Sequence, residues 1–309
     1  MNIAGCISIF LLCFIVSLLN TPLFSKVLLN LNIIDLPDPR KPHKRPIPRG
    51  AGLIIAASFV LGSLIASRSF ISPNDPDHSI IYLLIGVALV SFIGFLDDIL
   101  NISPALKLLA QVAASLMVIS GGLKIGMLPI YISVPLSILW LVGISNAFNL
   151  LDGMDGLAAG TAFVSSLMFA CLFYLSGARL PLYFSLALAG AILGFLPYNI
   201  HPASVFMGDC GSLFLGFTLG ALGIIFTSRA GNYLHLFIPI AVLFVPIFDT
   251  FLSIIRRLYN RRPVFSPDLS HFYDYLSFSK NVPILRVFVL TCFMTLFLGT
   301  VAIFVYSHY

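Results

Sequence analysis

Residues 80–98 read IIYLLIGVALVSFIGFLDD, an uncharged and mostly apolar run closed by two adjacent aspartates. A helix needs about 20 such residues to cross the hydrocarbon core of a bilayer. The run is apolar throughout, whereas a strand of a membrane barrel would alternate polar and apolar positions. Nine further runs of this kind lie at about 2–20, 51–67, 105–121, 127–146, 157–176, 181–198, 213–228, 235–255 and 284–306. The sequence therefore predicts an all-α, polytopic membrane helix bundle of about ten transmembrane helices, a single integral-membrane domain over 1–309.

Composition points the same way. The 309 residues are 59% hydrophobic and only 9% charged, against about 25% charged in a soluble domain. That excludes a cytosolic globular enzyme, a disordered chain and a coiled coil. The net charge of +5 marks a membrane face rather than a nucleic-acid partner. The five cysteines, Cys6, Cys13, Cys171, Cys210 and Cys292, sit mostly inside apolar runs and read as packing residues. No basic segment precedes the first run, which reads as a spanning helix and not a cleaved signal.

Basic residues concentrate after the first span (Lys26, Arg40, Lys41, Lys44, Arg45, Arg49) and after the ninth (Arg256, Arg257, Arg261, Arg262, Lys280). Links after even-numbered spans hold one each: Arg68, Lys124, Arg179 and Arg229. The asymmetry puts odd-span exits in the cytoplasm and both termini outside. Every acid is an aspartate, and nearly all lie at odd-span exits: Asp35, Asp38, Asp97, Asp98, Asp152, Asp155, Asp209, Asp268 and Asp274. Asp75 and Asp77 fall on the other side, and Asp249 lies within a span.

The residues around these acids suit phosphoryl transfer. Asp97 and Asp98, adjacent on a helix, point about 100° apart and suit two roles. In Asn149-Leu150-Leu151-Asp152-Gly153-Met154-Asp155-Gly156, three oxygen-bearing side chains recur every third residue, a spacing that turns them one way and suits a hard cation such as magnesium. Val205-Phe206-Met207-Gly208-Asp209-Cys210-Gly211-Ser212 opens a helix whose free amides could seat a phosphate, with Asp209 holding a metal against it. Phe206 there could stack on a nucleobase. The basic loop Arg40-Lys41-Pro42-His43-Lys44-Arg45-Pro46-Ile47-Pro48-Arg49, and Lys107, could bind phosphate oxygens. A site at the lipid boundary makes a lipid phosphate a reasonable substrate. The competing class is an ion-coupled transporter, whose site would sit near the bilayer midplane; here only Asp249 does.

Five blocks, Asp38–Gly52, Gly94–Asp98, Asn146–Gly160, Tyr198–Gly216 and Pro246–His271, together with Lys107, resemble the polyprenyl-phosphate N-acetylhexosamine-1-phosphate transferases of the glycosyltransferase 4 family. The resemblance implies a magnesium-dependent enzyme of the bacterial cytoplasmic (inner) membrane, with manganese as a substitute metal. It would transfer a UDP-activated N-acetylhexosamine 1-phosphate to undecaprenyl phosphate and release UMP, as the first membrane step of cell-surface polysaccharide synthesis. By the family pattern Asn149 and Asp209 bind the metal. Asp97 and Asp98 are catalytic, Asp152 arranges the nucleotide and phosphate site, and Lys107 contacts the diphosphate. Phe206 stacks on uracil with Asn199 nearby; Lys41, His43, Arg49, Asp155 and His271 complete the substrate site. GlcNAc is the default sugar; FucNAc, QuiNAc, GalNAc and the muramoyl-pentapeptide branch are alternatives. Expected partners are the two substrates and membrane lipid, and a homodimer is compatible. The chain departs from the pattern after His271, where Phe272, Tyr273 and Asp274 replace further histidines.

Overall fold

A computed structural model describes residues 3–37, 45–68, 78–229, 231–261 and 271–308. Helix α1 (Ile3–Asn30) is followed by a short antiparallel pair, β1 (Ile34–Asp35) with β2 (Ile47–Pro48). Then come α2 (Gly52–Ser67), α3 (His78–Leu100), α4 (Pro104–Ser120), α5 (Ile130–Leu151), α6 (Leu157–Leu175), α7 (Arg179–Asn199) and α8 (Gly208–Ser228). A 3₁₀ turn (Tyr233–Phe237) leads into α9 (Ile238–Val242) and α10 (Phe244–Tyr259). The short α11 (Phe272–Asp274), a π-helical turn (Tyr275–Ser279) and α12 (Ile284–His308) complete the chain.

Each predicted span falls on helix, and the chain is a multi-pass membrane protein. Among the described residues seven helices are long and apolar enough to cross a bilayer, or eight if the bent α9–α10 segment counts as one. Helices α2 and α4, with 16 and 17 residues, fall short of the roughly 20 that a perpendicular crossing takes. The predicted continuous ninth span, 235–255, is corrected: the segment bends by 79° at Leu243. Pro246, in the first turn after the break, has no N–H to offer Val242, which weakens the helix at this bend.

Helix α8 is the axis of the bundle, with every residue from Gly208 to Thr227 buried. Its neighbours α3 and α5 bond to it through buried hydroxyls: Ser91 Oγ donates to the Cys210 carbonyl at 3.2 Å and Ser145 Oγ to the Leu213 carbonyl at 2.9 Å. Gly94 lets α3 lie directly on the α8 backbone, since a Cβ there would stand 2.5 Å from the Asp209 carbonyl oxygen. That contact sets Asp97 and Asp98, one turn later, beside the start of α8. The outer helices face lipid instead: Ile3, Ile7, Leu11, Ile15, Leu19 and Leu23 form an exposed stripe at four-residue spacing along α1.

Candidate active site

The ends of α3, α5 and α8, the start of α4 and the segment before α2 meet at one end of the bundle. Asp98 is fully enclosed. Its Oδ1 accepts the Asp209 N–H at 2.9 Å and its Oδ2 the Cys210 N–H at 3.1 Å. It thus caps α8, matching a carboxylate to the positive end of a helix. Gly208 has φ +72°, and a side chain there would collide with this carboxylate. The amides predicted to be open to a phosphate are therefore already occupied by Asp98.

Arg49 and Lys107 clasp Asp209 from two sides. Arg49 Nε lies 2.8 Å from Asp98 Oδ1, and Arg49 Nη2 lies 2.7 Å from Asp209 Oδ1. Lys107 Nζ stands 2.9 Å from both Asp209 Oδ2 and Asp97 Oδ2. Lys107 sits in the first turn of α4, a helix set by Pro104 and by Ser103, whose side chain accepts the Leu106 N–H. Arg49 is placed by its strand: Phe206 N–H bonds the Pro48 carbonyl at 2.9 Å, and Ala51 N–H bonds the Phe206 carbonyl at 3.2 Å. Phe206, half-buried, is thereby fixed beside Arg49. Burial alone would lower Arg49's hold on its proton, but Asp98 and Asp209 raise it above the ordinary value, so the guanidinium stays charged.

Asn149 lies against the first turn of α8. Its Nδ2 donates to Ser212 Oγ at 2.9 Å, and Ser212 Oγ donates to the Gly208 carbonyl at 3.1 Å. Asp152, just past α5, is partly open to the cleft but surrounded by protein. Burial holds its carboxyl well above the usual range, and Asp209, Asp98 and Asp155 add to this while Arg49 opposes it. Asp97, Asp98 and Asp209 thus gather three carboxyls around two cations. Among the described residues no three His, Cys, Asp or Glu side chains stand close enough to hold a metal by themselves.

Other predicted residues lie apart from this cluster or serve the fold around it. Asp155 turns away from Asn149: its Oδ2 is 2.7 Å from His201 Nδ1 and accepts the Ala203 N–H at 3.0 Å, pinning the α7–α8 loop. Asn199 is buried, its Nδ2 bonded to the Val205 carbonyl and its Oδ1 without a hydrogen-bond partner among the described residues. His271 is buried and paired through Nδ1 with Asp249 Oδ2 at 2.8 Å. Lys41 and His43 lie outside the described residues, as do Asp38, Arg40 and Asp268. Sequence reasoning missed Ser212 as the support of Asn149 and Asp249 as the partner of His271. The signal for Asp249 was its isolation, one carboxyl inside an apolar run.

An apolar groove of about 520 Å³ runs between α5, α8 and the bent α9–α10 segment, lined by residues such as Trp140, Gly143, Gly223, Ile224, Phe237 and Phe251. Its α8 wall, Gly223 to Thr227, belongs to the Ser228 end of that helix, and along α5 it extends as far as Ala147, two residues before Asn149.

The profile of glycosyl transferase family 4 matches residues 80–227, which carry Asp97 to Asp209. A probable undecaprenyl-phosphate N-acetylglucosaminyl 1-phosphate transferase of Bacillus subtilis (strain 168) is 37% identical over 277 residues, 85% of this chain and 76% of that protein. An undecaprenyl-phosphate alpha-N-acetylglucosaminyl 1-phosphate transferase of Thermotoga maritima is 31% identical over 258 residues, 83% and 77% of the two chains. A phospho-N-acetylmuramoyl-pentapeptide-transferase of Oceanobacillus iheyensis is 34% identical over 252 residues, 73% and 76%. The chain belongs to glycosyl transferase family 4, the family of the polyprenyl-phosphate N-acetylhexosamine-1-phosphate transferases.

Proposed function

We propose that this protein transfers an N-acetylhexosamine 1-phosphate, GlcNAc-1-phosphate by default, from its UDP donor to undecaprenyl phosphate. The products are undecaprenyl-diphospho-sugar and UMP, and the reaction opens a cell-surface polysaccharide pathway. The observation that carries the reading is Asp209, clasped between Arg49 and Lys107 beside Asp97 and Asp98. The paired charges suit a diphosphate, and the apolar groove that reaches Ala147 on α5 suits a polyprenyl chain. The basic loops at this end support a cytoplasmic orientation in the inner membrane, with ten spans and both termini outside.

Three carboxyls around two cations leave a negative charge that a divalent ion would offset, and the donors are all oxygen, the chemistry that magnesium prefers. Asp209 and Asn149 would hold it, with manganese as a substitute and the substrate's phosphates completing the shell. When bound, it would offset charge on the diphosphate and on departing UMP. Lys107 and Arg49, released from Asp209 as the donor binds, are placed to contact phosphate oxygens. Asp98, locked onto the α8 amides, holds Arg49 and the start of α8 in place. Asp97, bonded to Lys107 through one oxygen, is the carboxylate we assign to align or deprotonate the lipid phosphate. An oxygen of that phosphate attacks the sugar-bearing phosphorus. The bond from that phosphorus to the bridging oxygen breaks, and the bridging oxygen leaves with UMP. Phe206 stacks on the uracil with Asn199 nearby, Asp152 arranges the phosphates, and His271 lines the site. Lys41, His43 and Asp155 complete the substrate contacts in this reading.

The experiment is UMP release from the purified protein with undecaprenyl phosphate, magnesium and a panel of UDP-amino sugars. Release that requires lipid, metal and one sugar is expected; none with any donor, from folded protein, would overturn the reading. The likeness to a muramoyl-pentapeptide-transferase at 34% identity puts UDP-MurNAc-pentapeptide in that panel.

A further inference from the structure

Behind the site, Asp249, Ser253, His271 and Tyr273 form a connected group that the transfer chemistry leaves largely unused. Asp249 lies on α10, past the break at Leu243. Its Oδ2 is 2.8 Å from His271 Nδ1, and its Oδ1 accepts the Phe272 N–H at 2.9 Å. Ser253 Oγ stands 3.1 Å from the same nitrogen. Both ends of the His271–Phe272 peptide segment are thereby fixed to α10.

The fixed segment reaches across to α5. The ring of Tyr273 lies parallel to that of His271, with centroids 5.2 Å apart and planes 5° apart. Tyr273 is buried, and its hydroxyl donates to the Leu150 carbonyl at 2.6 Å. That carbonyl belongs to the last turn of α5, where the helix itself supplies no partner. Asn149 precedes it and Asp152 follows two residues later. Gly153 makes the room: a Cβ there would stand 2.5 Å from the Tyr273 hydroxyl oxygen.

We propose that Tyr273 is a positioning residue. Asp249 anchors the segment, and the Tyr273 hydroxyl carries that anchorage to Leu150, so the turn bearing Asn149 and Asp152 keeps its place opposite Asp209. The proposal rests on the functional reading above for the importance of that turn. It does not rest on it for the tether itself.

Three variants of the full chain test it: Tyr273→Phe, which keeps the stacked ring, Gly153→Ala, whose methyl displaces the hydroxyl, and the double variant. Losing one hydrogen bond from a positioned turn is expected to lower kcat for UMP release about tenfold, with KM for the donor within about twofold. Because both changes break the same contact, the double variant should be no slower than either single one. Amide exchange across residues 149–157 should rise in all three. An unchanged kcat and exchange in Tyr273→Phe, or single losses that multiply in the double variant, would overturn the proposal. Absence of UMP release from the wild-type protein would instead count against the proposed function, and the exchange measurement would then decide the tether alone.

Discussion

At the Gly208 end of α8, Asp97, Asp98, Asp209, Arg49 and Lys107 are joined by four ion pairs of 2.7–2.9 Å. At the Ser228 end, Phe226 and Tyr306 lie edge to face at 5.2 Å, and His235 packs against Tyr306 at 5.0 Å. Neither ring nitrogen of His235 has a hydrogen-bond partner among the described residues. A neutral imidazole can be left unpaired for a few kcal/mol, whereas an unpaired buried charge costs far more. The chain tolerates the smaller cost where nothing reacts. At the Gly208 end the buried charges face partners of opposite sign, and that cluster is where substrate would trade places with the existing partners.

The sharpest way to break this contrast is Asp209→Ala. It strips Arg49 and Lys107 of their shared partner and removes a proposed metal ligand, and we expect UMP release to fall about a thousandfold or more. Near-normal turnover in folded, membrane-inserted protein would mean that the paired end is merely structural. Lys107→Ala should follow with a loss of about a hundredfold, chiefly in kcat; a change confined to KM would place Lys107 in binding alone. Filling the groove with Gly143→Trp tests the apolar slot. KM for the long-chain lipid phosphate should rise about tenfold, corresponding to about two displaced methylenes, while a short-chain analogue is unaffected. The smallest effect belongs to the opposite end. His235→Phe should leave turnover within about twofold and raise Tm by about 2 °C, as two orphaned nitrogens are removed; a large loss of activity would show that both ends take part.

Much of this was legible because polar atoms are expensive in an apolar chain. Asp97, Asp98, Asn149 and Asp209 stood out for that reason, and α3, α4, α5 and α8 bring them or their neighbours together. The occupancy of individual oxygens was not legible. Nothing in the spacing of Asp98 reveals that amides 111 and 112 residues later fill it. The three-residue rhythm of Asn149, Asp152 and Asp155 suggested one shared face, but α5 ends at Leu151 and the following turn sends Asp155 to His201. The hydropathy of 235–255 likewise hid the break at Leu243, because the residues on both sides of a bend can be equally apolar.

The complete enclosure of α8 has a mechanical consequence. Changes in bilayer thickness or lateral pressure act on surfaces that lipid touches, such as the outer stripe of α1. One helix thickness separates them from Asp209: α3, exposed at Phe92, lies backbone against backbone on α8 at Gly94, with little side-chain slack to take up strain. A contact with so little slack passes strain on instead of absorbing it, so the geometry of the reacting end should follow shifts of α3 against α8.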